Sequence, residues 1–197
     1  ASWWDYGYWI STVAERTTLI DNSTLFDSKI ANVAKIFMST PDEAWNLLTE
    51  WDADYVVVFV AGQRIDGNYG DNSIYVLNGG GDESKISWFM RIADVDLSKY
   101  LESDGTTATS YFWNETLLGQ MIPYTPIMYY DEASQQQSKI YQNGFVPISV
   151  LEINYADDGN YPLKLVHTSP SFTDKNIDRL VSVFVYEINK NYVSGND

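Results

Sequence analysis

Trp3, Trp4 and Asp5 stand side by side, and together they have the polar groups needed to recognise a hydroxyl. An indole N–H is a hydrogen-bond donor only, and an ionised carboxylate is an acceptor only. A serine or threonine hydroxyl offers one donor and two lone pairs, so two tryptophans and one aspartate supply its full complement. Such a site rejects a ligand without the hydroxyl, because its buried polar groups would be left unpaired. The competing reading is packing, in which the tryptophans anchor a core and Asp5 caps the helix that follows. Composition leaves both open. Seven Trp and 15 Tyr suit an aromatic core as well as a surface that binds peptide or sugar.

Other residues invite chemistry more weakly. Asp52-Ala53-Asp54 and Asp94-Val95-Asp96 are D-x-D pairs, but an oxygen-only metal site needs more converging ligands. His167 is the single histidine and by itself supports neither a catalytic triad nor a zinc site. Gly79-Gly80-Gly81 precedes a helical pattern but lacks the lysine and spacing of a phosphate loop. Asn22-Ser23-Thr24 and Asn114-Glu115-Thr116 are themselves glycosylation acceptor patterns. There is no cysteine, which excludes disulfides and thiolate metal sites.

The elements that must position these residues are partly readable. The chain has 197 residues, enough for one domain with a substantial core, and 45% of them are hydrophobic. A formal charge of −15 argues against nucleic acid and against anionic lipid heads as partners. The longest apolar run, 55–61, falls far short of a membrane span. Residues 7–14 read as a short helix and 17–20 as a short strand. Ile30, Val33, Ala34, Phe37 and Met38 recur at helical spacing, with Asp27 or Ser28 as N-cap. Thr40, Pro41 and Glu43 form a complete helix-start signal ahead of Ala44, Leu47, Leu48 and Trp51.

Residues 55–60 read as a strand buried on both faces, and 61–83 as a long Gly-rich loop. Helices are expected over 82–93 and 111–121, with a polar helix over 131–141. Strands are expected over 146–155, 161–166 and 181–188. Strand, two helices and strand make a βαβ-like order. The expectation is therefore a mixed α/β fold, with a helix-rich N-terminal half around a small, partly parallel sheet and a β-rich C-terminal third. A sub-lobe boundary is expected near 105–145.

Trp3-Trp4-Asp5-Tyr6-Gly7 matches the WWDYG motif of the Stt3/AglB/PglB family, the catalytic subunits of asparagine-linked oligosaccharyltransferases. Residues 14–22, 38–45 and 54–59 resemble the family's next blocks in the same order, and the likeness continues to Ile92. The family's D-x-x-K-x-x-x-[M/I] motif is similar to the segment from Asp82 through Lys85 to Phe89. Here Phe89 stands at the Met/Ile position and Met90 follows it. The two lie about a hundred degrees apart on a helix, so either Phe89 or Met90, not both equally, takes that role.

The resemblance implies that Trp3, Trp4 and Asp5 hold the Ser/Thr hydroxyl of an Asn-x-Ser/Thr acceptor, with Tyr6 and Gly7 shaping the pocket edge. Asp82, Lys85 and Phe89 or Met90 would stand beside it. It further implies a larger membrane enzyme that moves an oligosaccharide from a lipid carrier to asparagine. A divalent Mn or Mg ion and the catalytic carboxylates would lie in a membrane part outside this sequence. Residues 1–197 would then be one soluble C-terminal domain, cut just after the last membrane helix, extracytoplasmic and inactive alone. The acidity and short format point to an archaeal AglB. The competing class is an extracellular carbohydrate- or peptide-binding module, which accounts for the aromatics but not for the ordered motif blocks. A soluble hydrolase finds no distinctive pair of acids here.

Overall fold

The computed structural model describes residues 1–23, 27–69, 72–155 and 159–193. Its frame is one seven-stranded sheet formed by β1 (Tyr55–Tyr69), β2 (Asn72–Leu77), β3 (Thr125–Asp131), β4 (Gln136–Ser138), β5 (Val146–Val150), β6 (Leu163–Thr168) and β7 (Arg179–Ile188). The strand order is β4-β3-β5-β2-β1-β7-β6. The mixed α/β class is as expected, but every pairing among the described residues is antiparallel, which corrects the partly parallel sheet. The parallel reading needed a first strand at 17–20. Those residues form no strand and pair with none. The central strand β1 instead takes a late partner, with Val57 opposite Val185 and Phe59 opposite Val183 of β7. Strands from both sides of 105–145 share this one sheet.

The helices are α1 (Trp4–Thr12), α2 (Asp27–Met38), α3 (Pro41–Glu50), α4 (Ile86–Ala93), α5 (Ser110–Glu115), α6 (Leu117–Met121) and α7 (Pro170–Thr173). The expected start of α3 is present in full. Thr40 accepts from the Glu43 N–H, and the Glu43 carboxylate reaches back to the Thr40 N–H. The apolar stripe of α2 packs against α3, α4 and α6, with Val33, Ala34 and Phe37 fully buried. α2 begins at Asp27, so Ser28 is its second residue and not its cap; the side chain of Asp27 lies outside the described residues.

Four local expectations are corrected. Residues 61–83 are mostly the β1–β2 hairpin. A Cβ at Gly62 would lie 2.7 Å from the Val76 carbonyl oxygen, so glycine here is what lets the two strands approach. The polar run 131–141 is a second hairpin, because the Asp131 carboxylate accepts from the Ala133 and Ser134 N–H groups and turns the chain. The 111–121 helix is broken at Thr116. The Thr116 hydroxyl donates to the Phe112 carbonyl and accepts from the Gly119 N–H, capping a new helix.

The fourth correction concerns β1, which is not equally buried on its two faces. Val56, Val58 and Val60 are in the core, whereas Val57 and Phe59 are half-buried on the opposite face, where α1 lies. This alternation is that of an antiparallel strand with one well-covered side. No helix of the described residues is long and apolar enough to cross a membrane.

Candidate functional site

The aromatic–acidic cluster opens α1. Trp3 is the N-cap residue in extended conformation, so Trp4, Asp5 and Tyr6 occupy the first turn. Asp5 does not cap α1; its carboxylate points across to the segment before α4, while its position in the first turn suits the positive end of the helix. Gly7 is required by close packing. A Cβ there would lie 2.2 Å from the Ile20 carbonyl oxygen and 2.5 Å from Asp21 Cα. The 17–22 segment thus crosses directly over α1. Asn22 fixes this crossing, donating to the Asp5 carbonyl at 3.2 Å and accepting from the Tyr8 N–H at 3.0 Å. The amide of this potential acceptor asparagine is therefore committed to its own chain.

Asp82 to Lys85 form a 3-10 turn leading into α4. Lys85 Nζ donates to Asp5 Oδ2 at 2.6 Å, to the Tyr6 hydroxyl at 2.8 Å and to Asp82 Oδ1 at 3.1 Å, which uses all three of its donors. The ammonium also lies 4.5 Å from the Tyr6 ring centroid. Tyr6 donates to Asp82 Oδ1 at 2.7 Å, and the Phe59 N–H of β1 donates to Asp82 Oδ2 at 2.8 Å. Asp82 is almost fully buried, and burial pushes its carboxyl upward against the pull of Lys85 and these hydrogen bonds. Burial, and then Asp82, raise the Tyr6 phenol well above its ordinary value, so Tyr6 remains a donor. One network therefore ties α1 to the 3-10 turn and to the central strand.

In front of this network lies a cleft of about 420 Å³, lined by Trp3, Trp4, Asp5, Lys85, Ile30, Trp88 and Ile92. Asp5 Oδ2 is held by Lys85, while Asp5 Oδ1 is buried and accepts no hydrogen bond among the described residues. Such an orphaned acceptor calls for a missing donor. Neither tryptophan indole N–H has a protein acceptor among the described residues. Trp3 is also a core anchor, packed edge-on against Phe89 with ring centroids 4.2 Å apart. The packing reading of Trp3 therefore holds, and the same side chain also lines the cleft.

The structure brings Trp3, Trp4, Asp5 and Lys85 to the cleft and sets Tyr6 and Asp82 behind it. Phe89 and Met90 are both fully buried and line no part of it. The α4 side chains that do are Trp88 and Ile92, three and seven residues after Lys85 and so on the Lys85 face of the helix. That spacing was the available signal, and matching the Met/Ile position of the motif passed over it. Ile30 of α2 and the Phe59 N–H carried no sequence signal for the site.

The remaining candidates are occupied otherwise. Asp52 and Asp54 face Lys190, Asp94 ends α4 in left-handed conformation, and Asp96 caps the following 3-10 turn. His167 is exposed on the edge strand β6. Thr116 of the second acceptor pattern is buried. No group of three or more His, Cys, Asp or Glu that could hold a metal occurs among the described residues.

Fold and cleft together define a mixed α/β module with a carboxylate–indole site on its first helix. Residues 1–59 match the STT3/PglB/AglB core domain. The chain is similar to the dolichyl-diphosphooligosaccharide–protein glycosyltransferase subunit stt-3 of Caenorhabditis elegans, at 38% identity over 123 residues, covering 59% of this chain and 15% of the relative. It is also similar to subunit STT3 of Saccharomyces cerevisiae, at 28% identity over 167 residues, covering 80% of this chain and 22% of the relative. A third such subunit, from Dictyostelium discoideum, is 37% identical over 110 residues, covering 56% of this chain and 14% of the relative. These findings support the STT3/PglB/AglB family. The chain spans less than a quarter of the length of these curated relatives, at 15%, 22% and 14%.

Proposed function

We propose that this chain is the acceptor-recognising part of an oligosaccharyltransferase, a longer membrane enzyme that transfers a lipid-linked oligosaccharide to the asparagine of Asn-x-Ser/Thr. The observation that carries this reading is Asp5, with one oxygen fixed by Lys85 and the other unpaired in a cleft walled by Trp3 and Trp4. The hydroxyl of the acceptor Ser/Thr donates to the unpaired carboxylate oxygen and accepts from an indole N–H. Ile30, Trp88 and Ile92 supply an apolar wall for the methyl group of threonine. Lys85 orients Asp5, and Asp82 with Tyr6 keeps Lys85 in place.

In this reading the domain acts on the extracytoplasmic side and is anchored through the remainder of the longer protein. That remainder would bind the lipid-linked oligosaccharide and would hold the divalent Mn or Mg ion. The 197-residue chain alone transfers nothing. Its strong acidity fits an archaeal, salt-rich setting.

The test is transfer to an Asn-x-Thr peptide by the full-length protein in membranes, comparing the native chain with Asp5→Ala and Trp4→Phe. Trp4→Phe removes one donor while keeping most of the ring. Loss of transfer in both folded variants supports hydroxyl recognition. Normal transfer in both makes the motif structural and leaves a peptide- or carbohydrate-binding module as the reading to pursue.

A further inference from the structure

Glu83 and Lys85 leave the same 3-10 turn for different hollows. Lys85 lines the cleft beside Asp5, whereas Glu83 lines a separate hollow of about 310 Å³. The start of α4 divides the two, with Trp88 lining the cleft and Ser87 the second hollow. Across from Glu83 stand Thr106 and Thr107 of the loop before α5, and Trp113 of α5. The volume is at the lower end of the range for small-molecule sites, roughly 300–1,000 Å³.

Two polar atoms of the residues walling this hollow are buried without a hydrogen-bond partner among the described residues: Glu83 Oε2 and Trp113 Nε1. Glu83 is 9% exposed and Trp113 6%. Both are held in place. Glu83 Oε1 accepts from the Gly81 N–H at 3.3 Å, and a Cβ at Gly81 would lie 2.2 Å from Glu83 Oε2. The Trp113 ring packs against Phe112 and Tyr124, with centroids 4.8 and 4.7 Å away, which fixes the direction of its N–H. The loop opposite is formed in advance. Leu101 bridges to Ala108, and Asp104 accepts from the Thr106 and Thr107 N–H groups at 2.8 Å each. An unanswered acceptor and an unanswered donor on one hollow each cost stability, and a ligand offering both functions relieves both costs.

We propose that this hollow binds one pyranose unit of a neutral glycan, with one sugar hydroxyl donating to Glu83 Oε2 and another accepting from the Trp113 indole N–H. A hydroxyl is donor and acceptor at once, and a pyranose presents several side by side. Ser87 and Thr106 add hydroxyls of their own to the walls. Other ligand classes fit less well. Glu83 is the only charged side chain lining the hollow among the described residues, so an anion meets repulsion and no cation to answer it. A cation leaves the indole N–H without an acceptor. A peptide cannot be added as a strand, because the bordering strands β2 and β5 already have neighbours on both sides. The site is separate from the acceptor cleft, so it goes beyond the reading under Proposed function and does not depend on it.

The test follows the indole N–H signal of Trp113 in the ¹⁵N-labelled 197-residue chain, identified by its loss in Trp113→Phe. The probes are the methyl glycosides of mannose, galactose and N-acetylglucosamine. At least one should move the Trp113 signal saturably at millimolar concentration. Glu83→Gln, of the same shape, should weaken that binding about tenfold or more, because the charge-assisted acceptor is lost. Ser87→Phe keeps both orphan atoms but fills the hollow, and should abolish the shift. The remaining indole signals show that each variant is folded. No shift with any of the three glycosides overturns the proposal. So does a shift of equal strength in both variants, which would put the sugar elsewhere. A saturable shift with acetyl-Asn-Ala-Thr-amide and none with the glycosides overturns it as well, and marks a peptide site. Peptide transfer reports on Asp5 and the Trp113 signal on this hollow, so either reading can fail without the other.

Discussion

Lys85 Nζ and Asp5 Oδ2 lie 2.6 Å apart, and the same ammonium reaches the buried Asp82 at 3.1 Å. One lysine thus serves a carboxylate that faces the cleft and another that faces the core. The two demands separate by experiment. Lys85→Met leaves Asp82 with Tyr6 and Phe59 but no countercharge, and is expected to cost about 3 kcal/mol of stability. Adding Asp82→Asn should recover part of that stability but none of the acceptor binding, because Asp5 still lacks its partner. Urea unfolding and peptide-binding titrations on the two single variants and the double variant check this.

Gly7→Ala places a methyl group against backbone rather than against a movable side chain, 2.2 Å from the Ile20 carbonyl oxygen. The crossing segment must shift. We expect a loss of about 2–3 kcal/mol, measured by thermal or urea unfolding. Acceptor affinity should fall with it, since α1 carries Trp4 and Asp5.

Trp88 and Ile92 give the cleft its apolar wall on α4. Trp88→Ala should leave the hydroxyl contact intact but weaken the one to a threonine methyl. The preference of the full-length protein for Asn-x-Thr over Asn-x-Ser peptides should shrink about three- to tenfold. Competition between the two peptides in one transfer assay reads this ratio directly. An unchanged ratio would place the methyl-sensing wall elsewhere.

Glu83 adds a pH dependence. Burial raises its carboxyl from the ordinary 4.5 to about 7, and its Oε2 accepts no hydrogen bond among the described residues. The folded state therefore holds a proton that the unfolded state has already lost between those two values. The stability from this group is fully present below about pH 4.5 and is lost as pH rises through about 7, for a total of about 3 kcal/mol. Glu83→Gln should remove that slope. Its stability relative to the native chain should rise by about this amount between pH 5 and pH 8, as measured by urea unfolding at several pH values.

Much of the site was legible where local rules act alone. The start of α3 required only Thr40, Pro41 and Glu43, and the structure forms that capping box as written. Asp5 and Lys85 are 80 residues apart, and no local rule reaches across such a gap; only the family resemblance suggested that they meet. The parallel sheet was misread because 17–20 has strand composition but is spent on crossing Gly7. The 131–141 helix was misread because a polar stretch lacks an apolar period, and the Asp131 turn decided its course. Trp88 was passed over because motif position was followed rather than helix face.

The pairing of β1 with β7 has a bearing on how the chain is made. Residues 55–63 find their partners at 179–187, so the middle of the sheet closes only over a long stretch of intervening chain. Contacts so distant in sequence slow folding, since loop entropy is spent before they form. During synthesis Asp5, Lys85 and the Phe59 N–H are all present long before β7 emerges. The strand to which Asp82 is fastened must wait for residues 179–187 before it gains its second neighbour. Truncations before residue 179 should therefore yield chains that contain every cleft residue yet lack a finished sheet to hold them in place.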